Sequence, residues 1–352
     1  VKKATPTGTD AVTEDIQGST QTGKPVFQGG KVTVNGEEKT VEIDEDKPAK
    51  LVDPKTGDPV DSVTIEGEGT YTVAPDGTVT FTPEKTFTGV GTGVTVKRVD
   101  KNGTPVTAKY TPTVTPVTPV GTPAESEGPK GQQQTGTPVF TPGNPNVPID
   151  EDVPPTFEDG KTTKVVPGQG TYTIDPNGKV TFTPEPEFTG KAKGVTVKRV
   201  DKNGTPVTAK YTPTVTPVTP TAEPKETTDI QGKEQTGKPT FTPGNPEVPM
   251  DDETPATFED GSTTKVVPNE GTYTVAPDGT VTFVPEKSFV GKAPSVTVVR
   301  EDKNGTKASS TYTPTVTPVV PTAEPKETTG KQGQPQEGTP KFTQGDETAP
   351  IT

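Results

Sequence analysis

The sequence has no cysteine, no histidine and no tryptophan, and only one methionine among its 352 residues. The absence of cysteine excludes disulfide bonds, thiolate nucleophiles and cysteine-ligated zinc or iron–sulfur sites. The absence of histidine excludes a Ser-His-Asp triad, imidazole acid–base catalysis and HExxH metal sites. No apolar run reaches the roughly 18 residues of a membrane-spanning segment. The chemistry that remains is that of hydroxyl, carboxylate, amide and amine groups.

Hydrophobic residues are also scarce, at 24% of the chain, while 44 residues are proline and 38 are glycine. This composition is close to that of disordered chains, and a disordered Pro/Thr-rich stalk is one interpretation of it. The formal net charge of −13 argues against nucleic acid and anionic membrane as partners. Whether the chain folds depends on how its few apolar residues are arranged.

The chain is an internal tandem repeat with a spacing of 101 residues, which separates Tyr71 from Tyr172 and Tyr172 from Tyr273. The 27 residues 93–119 recur unchanged as residues 194–220. A fourth copy begins near Gln336, and we expect further repeats on both sides of this sequence.

The first copy is longer than the others. Phe27 and Tyr71 are 44 positions apart, whereas Phe140 and Tyr172 are 32 apart, so the first copy carries 12 extra residues. They include the stretch 32–37, whose Asn-Gly pair predicts an added β-hairpin.

Within each copy the apolar residues alternate with a period of two and are mostly β-branched, which is typical of half-buried strands. Turns of the type Ala74-Pro75-Asp76-Gly77, and Asn-Gly pairs such as Asn102-Gly103, separate these stretches and predict hairpins. The expected fold is all-β: tandem antiparallel β-sandwich modules, immunoglobulin-like or fibronectin-like, in a rod with Pro-rich linkers.

The aromatic residues favour order over disorder, because all of them occupy equivalent positions in the copies. We expect the following residues to form the cores of the modules: Phe27, Tyr71, Phe81, Phe87, Tyr110, Phe140, Tyr172, Phe182, Phe188, Tyr211, Phe241, Tyr273, Phe283, Phe289 and Tyr312.

The Pro-rich stretches between the copies suit polyproline II spacers or edge strands. The predicted organisation is a linker at 1–15, module 1 at 16–120, a linker at 121–133, module 2 at 134–220, a linker at 221–234, module 3 at 235–321, a linker at 322–335 and the start of a fourth repeat at 336–352.

No catalytic site is indicated, since no serine recurs in all three copies and the repeated carboxylates lie in turn-like contexts. Acidic clusters precede the central strands, and calcium binding is one interpretation of them; the alternative is a solvated loop. The calcium candidates are Asp150, Asp152, Asp251 and Asp252. No cofactor is predicted.

Asn102, Asn203 and Asn304 each begin an Asn-Gly-Thr triplet that matches a glycosylation sequon, although a tight hairpin also favours this triplet. The basic pair Lys97-Arg98 is better explained as a solvated strand face than as a polyanion site. An intramolecular Lys–Asn cross-link stays an open alternative.

Three motifs occur in order in the first and third copies, and with substitutions in the second: Gln-Thr-Gly-Lys-Pro-x-Phe, Gly-Thr-Tyr-Thr-Val-Ala-Pro-Asp-Gly-Thr-Val-Thr-Phe and Tyr-Thr-Pro-Thr-Val-Thr-Pro. From about Ile16 onward the chain resembles the CshA-type fibril repeats of streptococcal cell-wall-anchored surface adhesins. The resemblance implies a cell-surface location through an anchor in the parent protein, since this sequence contains no LPxTG-like motif. It also implies that a host matrix protein, fibronectin, binds a non-repetitive N-terminal region of the parent.

Two functions follow as hypotheses. In the first, the repeats are a non-catalytic stalk that projects the adhesive N-terminal region from a Gram-positive cell wall, with neighbouring repeats as their partners. In the second, the repeats themselves bind a host ligand or self-associate through strand edges in an amyloid-like way, in aggregation and biofilm formation.

Overall fold

The computed structural model describes residues 3–352, and within this range the chain forms β-strands and turns without an α-helix. The all-β prediction is therefore confirmed. No helix in the described range has the length and apolarity needed to cross a membrane.

The strands follow the repeat. The first repeat contains β1 (Thr7–Thr9), β2 (Ala11–Ile16), β3 (Gln21–Gly23), β4 (Val26–Gln28), β5 (Gly30–Val34), β6 (Glu37–Val41), β7 (Lys50–Val52), β8 (Pro59–Val60), β9 (Ser62–Ile65), β10 (Gly69–Val73), β11 (Val79–Pro83), β12 (Gly89–Val90), β13 (Val94–Val99) and β14 (Pro105–Thr115). The second contains β15 (Val120–Thr122), β16 (Ala124–Pro129), β17 (Gln134–Gly136), β18 (Val139–Thr141), β19 (Thr156–Phe157), β20 (Thr163–Val166), β21 (Gly170–Ile174), β22 (Val180–Pro184), β23 (Gly190–Lys191), β24 (Val195–Val200) and β25 (Pro206–Thr216). The third contains β26 (Thr221–Glu223), β27 (Lys225–Ile230), β28 (Gln235–Gly237), β29 (Thr240–Thr242), β30 (Thr257–Phe258), β31 (Thr264–Val267), β32 (Gly271–Val275), β33 (Val281–Pro285), β34 (Gly291–Lys292), β35 (Val296–Glu301) and β36 (Lys307–Thr317), and the fourth begins with β37 (Thr322–Glu324) and β38 (Lys341–Thr343).

By their internal contacts the residues form two compact units. One comprises the chain up to Ser126 together with Gln134–Phe182 and Ala192–Pro213, and so holds the first repeat and most of the second. The other comprises Glu127–Gln133, Thr183–Lys191 and Thr214–Thr352, and so holds the third repeat, the start of the fourth and three segments of the second.

In the first unit, the first repeat is a sandwich of two sheets. One sheet has the order β3-β11-β10-β9, and the other has the order β12-β14-β13-β7-β8 with β2 also beside β14. The rings of Tyr71, Phe81 and Tyr110 are fully buried between them, and the Tyr71 and Phe81 centroids are 4.5 Å apart. These rings and the β-branched residues around them form the core that the alternating pattern predicts.

In the second unit, the third repeat has the same design. Its sheets have the orders β28-β33-β32-β31 and β27-β36-β35-β30, with β34 also beside β36. Tyr273, Phe283 and Tyr312 are fully buried, and Tyr273 stacks on Phe283 at 4.7 Å. The predicted class, tandem antiparallel β-sandwich modules, is confirmed.

The predicted turns connect antiparallel strands. The Ala74–Gly77 turn joins β10 to β11, Gly77 has a φ of 92°, and the Asp76 carboxylate accepts from the Thr78 amide at 2.9 Å. Asn102-Gly103 joins β13 to β14.

The extra residues of the first repeat lie in two places. The predicted hairpin is present as β5 and β6, with φ angles of 51° at Asn35 and 78° at Gly36. Ile43 is equivalent to Ile149, because each forms a β-bridge with the Asp of an Asp-Lys-Asn-Gly turn. The rest of the insertion therefore follows Ile43, where the β7–β8 hairpin occupies the place of the short strand β19.

The segments expected as linkers contain strands. β2, which lies within 1–15 except for its last residue, and β27, within 221–234, each run parallel to the last long strand of their own repeat. β15 and β16 likewise lie largely within 121–133. The difference has a physical reason: pairing with an existing strand satisfies main-chain groups that a polyproline II spacer leaves to water.

This pairing makes the first strands of each segment part of the folded repeat. We expect a protein of residues 221–321 to be at least about 2 kcal/mol more stable to urea than one of residues 235–321, because the shorter protein lacks β27 and a hydroxyl partner for Tyr312. Urea unfolding followed by circular dichroism measures the difference. The exposed change Lys225→Ala in the longer protein is the control, and equal midpoints for the two lengths would contradict the prediction.

Candidate functional site: the junction between successive repeats

The first candidate site is a turn in the second repeat that contacts the first repeat. The residues 201–205 join β24 to β25, and Gly204 has a φ of 80°. Asp201 is fully buried, and its Oδ1 accepts from the main-chain amides of Asn203 and Thr205, both at 2.9 Å. The buried carboxylate thus determines the conformation of this turn, which we call the hairpin tip, and directs Asn203 outward from its own repeat.

The surface that meets the tip is the tight turn after β2, residues 16–19, which we call the receiving turn. Gln17 is buried; its amide nitrogen donates to the Lys85 carbonyl at 2.8 Å, and its side-chain oxygen accepts from the Val117 amide at 3.1 Å. Gly18 has a φ of 85°. Both side-chain groups of Gln17 are therefore occupied by main-chain partners outside the turn, while its main-chain carbonyl faces the tip.

Asn203 completes the contact. Its Nδ2 donates to the Gln17 carbonyl at 3.0 Å, and the residue is only 7% exposed. A side chain at Gly18 would collide with the Oδ1 of Asn203. Glycine is therefore required here for two reasons: the backbone is left-handed, and the neighbouring repeat approaches too closely for a side chain. We call this pairing of tip and receiving turn the junction.

The same junction occurs between the second and third repeats, within the second unit. The Nδ2 of Asn304 donates to the Lys130 carbonyl at 2.6 Å, and Gly131 has a φ of 84°. A side chain at Gly131 would collide with the Oδ1 of Asn304. Two junctions built from the same atoms show that the contact belongs to the repeat and is not an accident of one copy.

The second junction contains a compensated substitution. Lys130 stands where the other copies have Gln17 and Gln231, and Glu187 stands where they have Thr86 and Ser288. Lys130 Nζ lies 3.7 Å from a Glu187 carboxylate oxygen and donates to the Thr306 hydroxyl at 3.2 Å. Since Glu187 is mostly exposed, the ion pair adds little stability. The main-chain carbonyl, which every residue type provides, is the conserved acceptor of the junction.

A hydrogen-bond chain determines where the receiving turn lies. In the first repeat the Tyr110 hydroxyl is 2.6 Å from the Thr13 hydroxyl, which donates to Gln21 at 2.6 Å, and Gln21 donates to the Thr113 carbonyl at 3.0 Å. Because Thr13 gives its proton to Gln21, Tyr110 is the donor to Thr13.

The other repeats contain the same chain. Tyr211 lies 2.6 Å from Ser126, which donates to Gln134 at 2.7 Å, and Tyr312 lies 2.6 Å from Thr227, which donates to Gln235 at 2.7 Å. In each repeat the strand that holds the middle hydroxyl leads directly into the receiving turn.

Burial changes the ionisation of the core tyrosines. Desolvation raises the pKa of Tyr172 to about 12, and desolvation also raises the pKa of Tyr211. The Tyr172 hydroxyl accepts from the Gly194 amide at 3.1 Å. These hydroxyls are thus neutral anchors of the sandwich at ordinary pH.

The acidic clusters form ion pairs with lysine and arginine side chains. In the second repeat, Lys202 Nζ lies 3.1 Å from Asp150 Oδ1 and 3.4 Å from Asp152 Oδ2. The hydrogen bond from Lys202 lowers the pKa of Asp150. The guanidinium of Arg199 lies 3.0 Å from Glu151, so all three acidic residues of this cluster have a basic partner.

The third repeat repeats this pattern. Lys303 Nζ lies 3.2 Å from Asp251 Oδ1, and Arg300 Nη2 lies 2.9 Å from Asp252 Oδ1. The hydrogen bond from the Thr254 hydroxyl is the largest cause of the lowered pKa of Asp251. Across residues 3–352 there is no cluster of three or more acidic side chains placed to hold a metal ion. Calcium would have to displace lysine and arginine from the four candidate aspartates.

The structure divides the aromatic residues expected in the cores into two groups. The fully buried ones are Tyr71, Phe81, Tyr110, Tyr172, Phe182, Tyr211, Tyr273, Phe283 and Tyr312. The half-buried ones are Phe27, Phe87, Phe140, Phe188, Phe241 and Phe289. Phe157, Phe258 and Leu51 are also buried and were missed, although the 101-residue spacing of the two phenylalanines was a usable signal.

The sequence also contained the junction residues, but only as turn residues. The Asn-Gly-Thr triplets predict hairpins or glycosylation sites, and no motif in the sequence gives Gln17 a role. Nothing in a periodicity shows which turn of one repeat faces which turn of the next.

We expect Gly18→Ala to destabilise the protein more than Gly232→Ala. The two glycines have nearly equal φ angles, 85° and 81°, so each change costs about 1 kcal/mol in backbone strain. At Gly232 nothing lies within 4 Å of an added Cβ, whereas at Gly18 it meets Asn203, which adds about 1 kcal/mol for the lost hydrogen bond. Urea unfolding of the whole chain measures both. Equal losses would show that the junction contributes nothing in solution.

We expect the stability of the sandwich to fall as the pH rises above about 10. The folded pKa of Tyr172, about 12, exceeds the unfolded value of about 10, so its contribution is complete below pH 10 and is lost toward pH 12. Each such tyrosine lowers the free energy of unfolding by up to about 1.4 kcal/mol per pH unit in this window.

Circular dichroism and tyrosinate absorbance, recorded together during an alkaline titration, measure this loss. The variant Tyr172→Phe is the control and should show a shallower decline. Tyrosinate formation near pH 10 with an unchanged β-sheet spectrum would contradict the prediction.

Known proteins were compared with this chain and this structure. No significant match was found among curated protein sequences. Among solved structures, the chain is similar to mouse cadherin-23 EC22-24, with 14% identity over 90% of this chain and 100% of that one and a TM-score of 0.36. It is also similar to the I9-I11 tandem of titin, with 13% identity over 90% and 98% of the two chains and a TM-score of 0.33. A third is Drosophila N-cadherin EC1-3, with 15% identity over 88% and 98% and a TM-score of 0.27.

The family comparison covers nearly the whole chain. The family described as "surface adhesin CshA repetitive domain" matches residues 3–114, 116–215, 217–316 and 318–352. Each of the first three matched ranges contains one receiving turn and one hairpin tip, so every junction described above joins one family repeat to the next. The chain therefore belongs to the family of surface adhesin CshA repetitive domains.

Proposed function

We propose that these repeats are the non-catalytic stalk of a bacterial surface fibril, which holds an adhesive N-terminal region of the parent protein away from the cell wall. The observation that carries the proposal is the junction itself. Asn203 and Asn304 make the same hydrogen bond to a turn of the preceding repeat, at 3.0 and 2.6 Å. A contact that recurs unchanged can add repeats indefinitely, which is what a spacer needs.

The parent protein's setting belongs to the same proposal. Membership of a surface adhesin family supports an extracellular location at a bacterial surface. We place the anchor in the Gram-positive, streptococcal-type cell wall, and we assign fibronectin or a similar host matrix protein to a region outside this chain. The stalk contributes reach and is non-catalytic.

The experiment is solution scattering on proteins of one, two and three repeats, each beginning at the first strand of its repeat. The maximum dimension should increase by a near-constant step with each repeat, since every added repeat repeats the same contact. On cells, adhesion lost by deleting repeats should return when an unrelated spacer of equal length replaces them. A maximum dimension that does not grow with repeat number would contradict the stalk.

Self-association is a second candidate, and one observation favours it. Val165 in β20 and Val266 in β31 are 61% and 65% exposed, and each lies in a terminal strand of its sheet. Exposed β-branched residues on an edge strand are a surface on which another chain can pair. Aggregation of cells that carry only the repeats, abolished by Val165→Lys together with Val266→Lys, would favour this function over a passive stalk.

A further inference from the structure

The three hairpin tips offer an internal comparison of chemically identical Asn-Gly pairs. Asn102 and Asn203 lie in identical segments, because residues 93–119 and 194–220 have the same sequence. In both tips the glycine amide donates to the carbonyl of the aspartate three residues upstream in the turn, Asp100 or Asp201, at 2.9 and 2.8 Å. Local sequence and local turn geometry are therefore matched.

The two asparagines differ in their surroundings. Asn102 is exposed, whereas Asn203 is 7% exposed and donates to the Gln17 carbonyl. Asn304 is half-buried and donates to the Lys130 carbonyl. The junction is the feature that separates Asn203 and Asn304 from Asn102.

An Asn-Gly pair has an intrinsic reaction, because glycine leaves the following amide nitrogen unhindered. The main-chain nitrogen of Gly204 attacks the side-chain carbonyl carbon of Asn203. A carbon–nitrogen bond forms, the bond to the side-chain nitrogen breaks, and ammonia leaves with the proton of the glycine nitrogen. Water then opens the cyclic imide to aspartate or isoaspartate, and no oxidant or reductant is involved.

The aspartate or isoaspartate produced at position 203 cannot form the hydrogen bond of the junction. The amide that donates to Gln17 becomes a carboxylate, which is an acceptor only and faces another acceptor. Isoaspartate also lengthens the main chain within a turn whose amides are held by Asp201. An unpartnered charge at a site this buried is strongly unfavourable, so the neighbouring repeats separate at that point.

We propose that Asn203 and Asn304 are deamidation sites whose modification uncouples neighbouring repeats, and that an intact junction protects them from it. Damage to the array then accumulates at the junctions. When a junction opens, its asparagine can deamidate, and the modified junction cannot close again. The proposal depends on the contact between repeats, on which the proposed stalk also rests, but it does not depend on adhesion.

The experiment incubates the whole chain at mildly alkaline pH and measures deamidation at each asparagine by mass spectrometry. Cleavage after glutamate separates the sites, since residues 85–125 contain Asn102 as their single asparagine and residues 188–223 contain only Asn203. We expect Asn203 to deamidate at least about fivefold more slowly than Asn102, the protection that one net hydrogen bond provides.

Incubation in denaturant is the matched control. The identical segments should then react at the same rate, which shows that the difference arises from folding. Equal rates at Asn102 and Asn203 in the folded chain would overturn the proposal. If scattering on the proteins of one, two and three repeats still shows a constant step per repeat, the stalk stands while this inference fails.

The consequence of modification is tested with two variants of the same chemistry. Asn203→Asp should lower the urea midpoint of the whole chain, whereas Asn102→Asp, in the same sequence but at an exposed tip, should leave it unchanged. Equal effects of the two variants would overturn the claim that deamidation acts through the junction.

Discussion

A buried hydroxyl must be hydrogen-bonded. In each repeat, this requirement of one tyrosine determines where the opening strand and the turn after it lie. Tyr110, Tyr211 and Tyr312 find their partner on the strand that opens the repeat: Thr13, Ser126 or Thr227. That strand is thereby fixed against the sandwich, and the turn that follows it comes to lie at the end of the repeat. The junction is built on that turn.

The junction tolerates changes in sequence because its acceptor is a main-chain carbonyl. The second repeat has Lys130 at the position of Gln17, and the contact is kept. The Lys130 side chain forms an ion pair with Glu187 and a hydrogen bond with Thr306. Glycine and asparagine at the contact are less replaceable, since one must have a left-handed backbone and the other must donate an amide proton. A repeat family can drift around such a contact and still assemble in tandem.

A small number of apolar residues is enough to fold each sandwich because the rings among them are fully buried. Each sandwich uses fully buried rings in contact with one another, such as Tyr71 on Phe81, and surrounds them with β-branched side chains. Charged groups act locally: the buried Asp201 determines the conformation of the hairpin tip, and Lys202 and Arg199 pair with the mostly exposed acidic cluster at Asp150. Order in this chain rests on a small number of well-placed groups.

The sequence by itself determined the all-β class, the repeat, the hairpins at Asn35 and Asn102 and most of the aromatic core. These are local or periodic properties: a turn depends on two or three residues, and alternation marks the buried face. Tertiary structure alone decided that residues 225–230 form a parallel strand and that Asn203 meets Gln17, which is 186 residues away. Pairing between distant segments depends on which main-chain groups remain unpaired after the sandwich has formed, and no local pattern records that.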